Sequence, residues 1–206
     1  DEVMCGVGRC GTWCALEHDG VEPDLMAIAK GLAGGYLPLG AAVYHRRVAE
    51  PIFTAHGAAM TGHTFAGHTA CCSAGVAVQR IMAREGLVRR VHDNGPRLMA
   101  MLGDAIGGLD AVGDIRGRGY FIAVEFVADR QSKEPFPADL QLFARIRDIA
   151  FEDGLICYPV GGNVDGVRGD FAIISPPYNA TDAELTEIVD KFAGATRKAL
   201  AAIGRA

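Results

Sequence analysis

Lys30 has the sequence setting best suited to chemistry and is one of only 4 lysines in the chain. It follows an apolar run at residues 25–29 and precedes a glycine-rich segment, whereas the other lysines occur in charged stretches. Burial among apolar and small residues desolvates an amine and favours its neutral form, a nucleophile toward carbonyl groups. The alternative is a helix-end lysine whose stem covers an apolar face while its amine reaches water.

Lys30 and Asp1 belong to a series of short motifs. In chain order the motifs are Asp1-Glu2-Val3, Gly6, Gly8-Arg9, Gly11, Pro23-Asp24, Lys30-Gly31-Leu32, Leu37-Pro38-Leu39-Gly40, Gly62-His63-Thr64-Phe65-Ala66-Gly67-His68, Gly169-Asp170 and Ser175-Pro176-Pro177. The series resembles the class III, pyridoxal-phosphate-dependent aminotransferases of fold type I. The resemblance implies an α/β fold. Residues 1–86 would be the C-terminal part of the large cofactor-binding domain, and residues 87–206 the small C-terminal α/β domain.

The resemblance also implies pyridoxal 5'-phosphate as the cofactor and a role for each matching residue. Asp1 would hold the pyridine nitrogen, because a nearby carboxylate favours the charged form of that base. Val3 would pack against the cofactor ring, and Lys30 would be the Schiff-base lysine that also carries the substrate proton. Thr64 would reach the cofactor phosphate of a neighbouring subunit, which implies a homodimer with shared active sites.

Arg168 is the candidate for binding the substrate carboxylate. It lies in a glycine-rich loop at residues 161–169. An arginine on a mobile loop can form a bidentate pair with the carboxylate of a keto acid and swing away for an apolar group. The alternative is an exposed loop arginine that pairs with Asp165 or Asp170, since such surface ion pairs are common and weak.

The implied reaction moves an amino group from an amine or amino acid to a keto acid such as pyruvate. The segment at residues 35–40 and Met4 are most similar to the omega-amine:pyruvate group. Class III aminomutases and decarboxylases use the same lysine and aspartate, so they stay open as alternatives, as does a non-catalytic fragment that only dimerises. The family's phosphate-binding turn and cofactor-stacking aromatic residue are not found, so we expect the C-terminal half of an aminotransferase.

Composition excludes several other classes of protein. The chain has 206 residues, 50% of them hydrophobic and 22% charged, which is typical of a globular protein with a sizeable core. A net charge of -5 and few lysines argue against a nucleic-acid surface. No apolar run approaches membrane-spanning length and no signal peptide opens the sequence. The 6 cysteines match neither a zinc site nor a disulfide framework, which favours reduced thiols in a cytoplasmic protein.

Two further patterns have weaker interpretations. The glycines at positions 6, 8 and 11 match a dinucleotide-binding fingerprint, with Asp24 downstream. That motif requires a preceding strand and a helix opening within it, and no second βαβ unit follows. Three histidines at positions 56, 63 and 68 lack acidic partners nearby, so we expect packing or hydrogen-bonding roles and no metal site.

Alternating helix and strand patterns along the chain predict α/β architecture. Strands are predicted at residues 25–29, 41–44, 119–126, 155–158 and 171–175. Helices are predicted at residues 67–84, 87–102 and 140–153, the second with a kink or break at Pro96. A final amphipathic helix is predicted to begin after Thr181, because Glu184 three positions later completes a capping box.

Overall fold

The computed structural model describes residues 1–58 and 62–205, which form two compact units that divide between His92 and Asp93. Strands and helices are mixed in the chain, as predicted. The domain boundary expected at residues 86 and 87 follows the family's domains and stays a prediction.

The first unit contains a pair of antiparallel strands. Strand β1 (Leu25–Ile28) pairs with β2 (Ala41–Tyr44), and Ile28 lies opposite Ala41. Both strands were predicted within one residue. The apolar sequence of residues 41–44 predicts a buried strand, and this is wrong, because all four side chains of β2 are exposed. Apolar composition favours a strand but does not specify which element covers it.

Two helices of this unit follow the strand pair. Helix α1 (Arg46–His56), which the sequence patterns did not predict, begins after His45, whose Nδ1 accepts a hydrogen bond from the Arg47 amide. Helix α2 (Thr69–Arg84) starts two residues later than predicted. Short 3-10 helices occupy Ala15–Asp19 and Lys30–Ala33.

Helix α3 (Leu87–Ile106) is longer than predicted and runs without a break through Pro96. Proline removes one helical hydrogen bond, but the helix continues on both sides of it. Gly95, the residue before Pro96, lies directly against the backbone of Gly119. A Cβ atom at position 95 would lie 2.6 Å from the Gly119 Cα atom. The close approach therefore excludes any larger residue at position 95.

The second unit contains a four-stranded antiparallel sheet in the order β3-β4-β6-β5. Its strands are β3 (Val112–Arg118), β4 (Phe121–Phe126), β5 (Tyr158–Gly161) and β6 (Asp170–Ile174). The predictions for β4 and β6 are close, and β5 begins three residues later than expected. The sequence patterns missed β3, because the charged and glycine residues at 116–118 are typical of a turn.

Helices α4 (Leu142–Glu152) and α5 (Asp182–Ala202) complete this unit. The β4 side chains at 122, 124 and 126 are buried, whereas the alternating positions are only half-buried. The capping box at the start of α5 is confirmed. Thr181 Oγ1 accepts from the Glu184 amide at 3.3 Å, and the Thr181 amide donates to Glu184 Oε2 at 2.6 Å.

All 6 cysteines are free thiols. Burial raises the pKa of the Cys157 thiol to about 11, so this residue is almost entirely protonated near neutral pH. Within residues 1–58 and 62–205, no helix has the length and apolar content needed to cross a membrane.

Candidate active site

The segments that contain Asp1 and Lys30 meet at strand β1. The Glu2 amide donates a 2.9 Å hydrogen bond to the Ala27 carbonyl, three residues before Lys30. Asp1 is exposed, and its Oδ1 accepts a hydrogen bond from the Val3 amide at 2.9 Å. Val3 itself is half-buried. Three of the predicted site residues therefore lie on two hydrogen-bonded segments of one unit.

Lys30 occupies the first position of the 3-10 helix that follows β1, with an exposed side chain. The expected burial of its amine is not found in this chain: although Ile28 two residues earlier is buried, Lys30 is exposed. Its backbone has a φ of 48°, the left-handed region that non-glycine residues rarely occupy. A residue held in such a conformation costs about 1–3 kcal/mol and persists only where its surroundings enforce it.

Glu2, the middle residue of the Asp1-Glu2-Val3 motif, has a structural role that the motif did not indicate. Its side chain is 1% exposed, and its two carboxylate oxygens accept separate backbone hydrogen bonds. The Ala15 amide donates to Oε2 at 2.8 Å and the Leu16 amide donates to Oε1 at 3.0 Å. Hydrogen bonds to a charged acceptor are stronger than neutral ones, so Glu2 holds the start of the 3-10 helix at Ala15–Asp19, and with it the loop that contains the glycines at 6, 8 and 11, beside β1.

The glycines of this loop permit close packing. A Cβ atom at Gly6 would lie 2.7 Å from Glu2 Oε2, and one at Gly11 would lie 2.8 Å from the His92 Cα atom. Between them, the β-branched residue Val7 has a φ of 53°, a second strained position. The segment forms successive turns and opens no helix, which removes the structural context that a dinucleotide-binding fingerprint requires. Asp24 is ion-paired with Arg47.

Thr64 is exposed in the turn that precedes α2. His68, at the start of the same helix, accepts a hydrogen bond from the Cys71 amide at its Nδ1. His56 and His63 are both exposed. Across residues 1–58 and 62–205, no group of three or more His, Cys, Asp or Glu side chains could hold a metal ion.

Arg168 lies in the second unit, in the loop between β5 and β6. Its Nε donates to Asp165 Oδ2 at 2.8 Å and its Nη1 donates to Glu134 Oε1 at 3.2 Å. The two hydrogen bonds from the Arg168 backbone and side chain lower the pKa of Asp165 to about 2. The alternative interpretation of Arg168 as an ion-paired loop residue therefore describes this conformation, with Asp165 and not Asp170 as the partner.

Asp170 has a different role. Its carboxylate is buried and accepts a 2.9 Å hydrogen bond from the Phe143 amide in the first turn of α4. Burial raises the pKa of this carboxyl above its ordinary value. The Gly-Asp motif that contributed to the resemblance thus joins a strand to a helix.

The sequence model of one protein family, described as "Aminotransferase class-III", matches residues 1–196. The chain belongs to this family. An aminotransferase of Gibberella zeae is 42% identical over 201 residues, which cover 97% of the chain and 39% of that protein. The taurine–pyruvate aminotransferase of Rhodobacter capsulatus is 33% identical, with 96% of the chain and 43% of that protein covered.

Solved structures give the same result for the fold. A transaminase from a marine Virgibacillus matches with a TM-score of 0.91 and 29% identity, over 99% of the chain and 45% of that structure. A PLP-bound aminotransferase mutant from Vibrio fluvialis matches with a TM-score of 0.89 and 30% identity, over 98% and 44%. The predicted transaminase fold is therefore confirmed. The chain spans less than half the length of these relatives.

Replacing the buried carboxylate of Glu2 should destabilise the loop of this class III chain. In Glu2→Gln, the amide group faces one of the two backbone N–H donors, which loses its acceptor while the shape of the side chain is kept. A buried donor without an acceptor costs about 1–3 kcal/mol, so the melting temperature of the complete protein should fall measurably.

Glu17→Gln is the matched control for this experiment. Glu17 also accepts a backbone hydrogen bond, from the Cys14 amide at 2.7 Å, but it is exposed. Only one oxygen of Glu17 accepts a backbone amide, so the glutamine oxygen can keep that bond and the melting temperature should change little. Equal effects of the two substitutions would contradict the role given to Glu2.

Proposed function

We propose that these residues belong to a pyridoxal-phosphate-dependent aminotransferase that transfers an amino group from an amine or amino acid to a keto acid such as pyruvate. Membership of the class III family supports the reaction class. The observation that supports the site is the strained, exposed Lys30 at the end of β1. Strained backbone of this kind clusters at active sites, where it holds a reacting group in place.

The residues of the first unit fit this cofactor chemically. Lys30 offers an exposed primary amine for the cofactor carbonyl group, and Asp1 offers an exposed carboxylate for the pyridine nitrogen. The hydrogen bond from Glu2 to Ala27 links the segments that carry them. Bound pyridoxal phosphate supplies an electron sink to the reacting carbon of the substrate.

Each residue then has a defined task in the proposed reaction. Asp1 would keep a proton on the pyridine nitrogen through its negative charge. Lys30 would hold the cofactor through its amine, and that amine would take a proton from the substrate carbon and return it. Val3 would contact the cofactor ring. The hydroxyl of Thr64 donates to the cofactor phosphate of a partner subunit, which makes the active enzyme a homodimer with shared sites.

Arg168 is proposed to bind the carboxylate of the keto acid. To do so it must exchange Asp165 and Glu134 for the substrate. The side chains of all three residues are exposed, and ion pairs between exposed groups are weak because water screens them. The exchange is therefore inexpensive, and the same arginine can return to Asp165 when an uncharged amine occupies the site.

The choice of pyruvate rests on the resemblance of residues 35–40 to the omega-amine:pyruvate group and on one named relative. The Rhodobacter protein is a taurine–pyruvate aminotransferase, whereas a Halomonas elongata relative, 34% identical, is a diaminobutyrate–2-oxoglutarate transaminase. Both names describe amino transfer to a keto acid. They favour a transaminase over an aminomutase or a decarboxylase.

Borohydride reduction of the complete, cofactor-loaded protein should fix the cofactor on the peptide that contains Lys30. Lys30→Ala should lose the label and all measurable turnover, because no other amine occupies this position. Lys133→Ala is the matched control, since Lys133 is also a lysine with a positive φ, at 61°, but lies in the second unit. Recovery of the label on any other lysine would refute the assignment.

Asp1 should act through its charge. In Asp1→Asn the side-chain oxygen can still accept the Val3 amide, so the local turn and cofactor binding should be retained. The rate constant kcat should fall by orders of magnitude, because a neutral amide does not hold the pyridinium proton. Steady-state kinetics and cofactor titration would measure both effects, and near-normal kcat would overturn this role.

Arg168→Ala should raise the KM for pyruvate much more than the KM for an amine without a carboxylate. The loss of a bidentate partner affects only the charged substrate. Arg147→Ala removes another exposed, ion-paired arginine from the same unit and should change neither KM. Equal changes for both substrates in Arg168→Ala would show that Arg168 is a structural residue.

A further inference from the structure

One face of helix α2 supports the segment that begins with Lys30. Gly75, Val78 and Gln79 share this face because they are three and four residues apart. A Cβ atom at Gly75 would lie 2.6 Å from the Leu39 side chain, so helix α2 and this segment pack closely here. On the same face, Gln79 Nε2 donates a 3.1 Å hydrogen bond to the Leu32 carbonyl inside the 3-10 helix that Lys30 opens.

The other end of the Gln79 amide contacts the segment of Asp1. Gln79 Oε1 accepts a hydrogen bond from Trp13 Nε1 at 3.3 Å. An indole N–H can only donate and a backbone carbonyl can only accept, so the two partners determine the orientation of the amide. The Trp13 carbonyl in turn accepts from the Gly8 amide at 3.2 Å, next to the strained Val7.

These contacts matter because no side chain caps the start of the Lys30 helix, so its position depends on contacts made elsewhere along it. Ala29 precedes it and provides no side-chain hydrogen bond. Within the helix, the Leu32 amide bonds to the Ala29 carbonyl at 3.0 Å. A single short turn with a left-handed first residue is unfavourable in isolation, so contacts to other elements must maintain it. Gln79 makes such a contact two residues from Lys30.

We propose that Gln79 is a positioning residue for the reaction: its amide ties the segments of Lys30 and Asp1 to α2 and so sets the position of the Lys30 amine. The proposal rests on the proposed function of Lys30. Gln79 reaches the Lys30 segment through the Leu32 carbonyl and the Asp1 segment through Trp13. Its effect on catalysis is therefore transmitted by backbone position.

Three substitutions separate the two hydrogen bonds. Gln79→Leu has a similar volume and removes both. Gln79→Glu keeps an acceptor for Trp13 but directs a carboxylate oxygen at the Leu32 carbonyl, so it loses the bond to the Lys30 segment. Trp13→Phe removes only the bond to the Asp1 segment.

Two measurements on the complete protein test the proposal. In the cofactor-free form, hydrogen exchange of the Leu32 and Gly34 amides should accelerate at least about tenfold in Gln79→Leu and Gln79→Glu, because opening the 3-10 helix becomes easier. In the loaded form, kcat should fall about tenfold with KM within about twofold, since a small displacement of a catalytic group slows the reaction. The absorption maximum of the bound cofactor should shift.

Arg80→Leu, at the next and exposed position of α2, should leave all these quantities unchanged. Assays run well below each variant's melting temperature exclude general instability. If Gln79→Leu does not fold, Trp13→Phe carries the test, with a smaller decrease in kcat expected. Unchanged exchange, spectrum and kcat in the folded variants would overturn the proposal.

The outcome for Lys30 is measured separately. If borohydride labels Lys30 in the unsubstituted protein, but the Gln79 variants show unchanged exchange, spectrum and kcat, only the positioning role is refuted. Labelling of another lysine would refute the proposed function and this proposal with it.

Discussion

The first unit depends on how Glu2 is bonded. Its backbone amide reaches the Ala27 carbonyl in β1, while its buried carboxylate accepts the amides of Ala15 and Leu16. A carboxylate is removed from water only if hydrogen bonds replace the lost hydration. Two charge-assisted bonds do so here, and they hold the Asp1 segment between a strand and a short helix. The placement of Asp1 beside the strand that leads to Lys30 follows from this arrangement.

Strain and close packing occur in the same part of the molecule. Val7 and Lys30 both have left-handed backbones, and Gly6 and Gly11 each allow an approach under 3 Å that a side chain would block. Such conformations are stable only when several neighbours enforce them. Glu2 does so for the loop and, in our proposal, Gln79 does so for the Lys30 helix. In our proposal, this support keeps the amine of the strained Lys30 in the fixed position that the reaction requires.

In the second unit, charged residues close together in the sequence have different structural roles. Its antiparallel sheet presents Arg168 on an exposed loop, already paired with Asp165 and Glu134. Ion pairs between exposed groups are weak, so Arg168 can leave these partners at little cost in free energy. The neighbouring Asp170 is instead buried and joins β6 to α4 through the Phe143 amide. Two acidic residues five positions apart thus serve a surface ion pair and an internal contact.

The sequence alone determined the family, the strand at residues 41–44 and the Thr181–Glu184 capping box, because each depends on local residue types and their order. The exposure of Lys30, the bonds of Glu2 and the two partners of Gln79 were decided only by the tertiary structure. The hydrogen bonds of Glu2 and Gln79 connect residues that are separated by between 13 and 66 positions in the sequence. No local pattern shows which distant group a polar side chain will contact. Burial and hydrogen-bond partners are properties of the assembled chain.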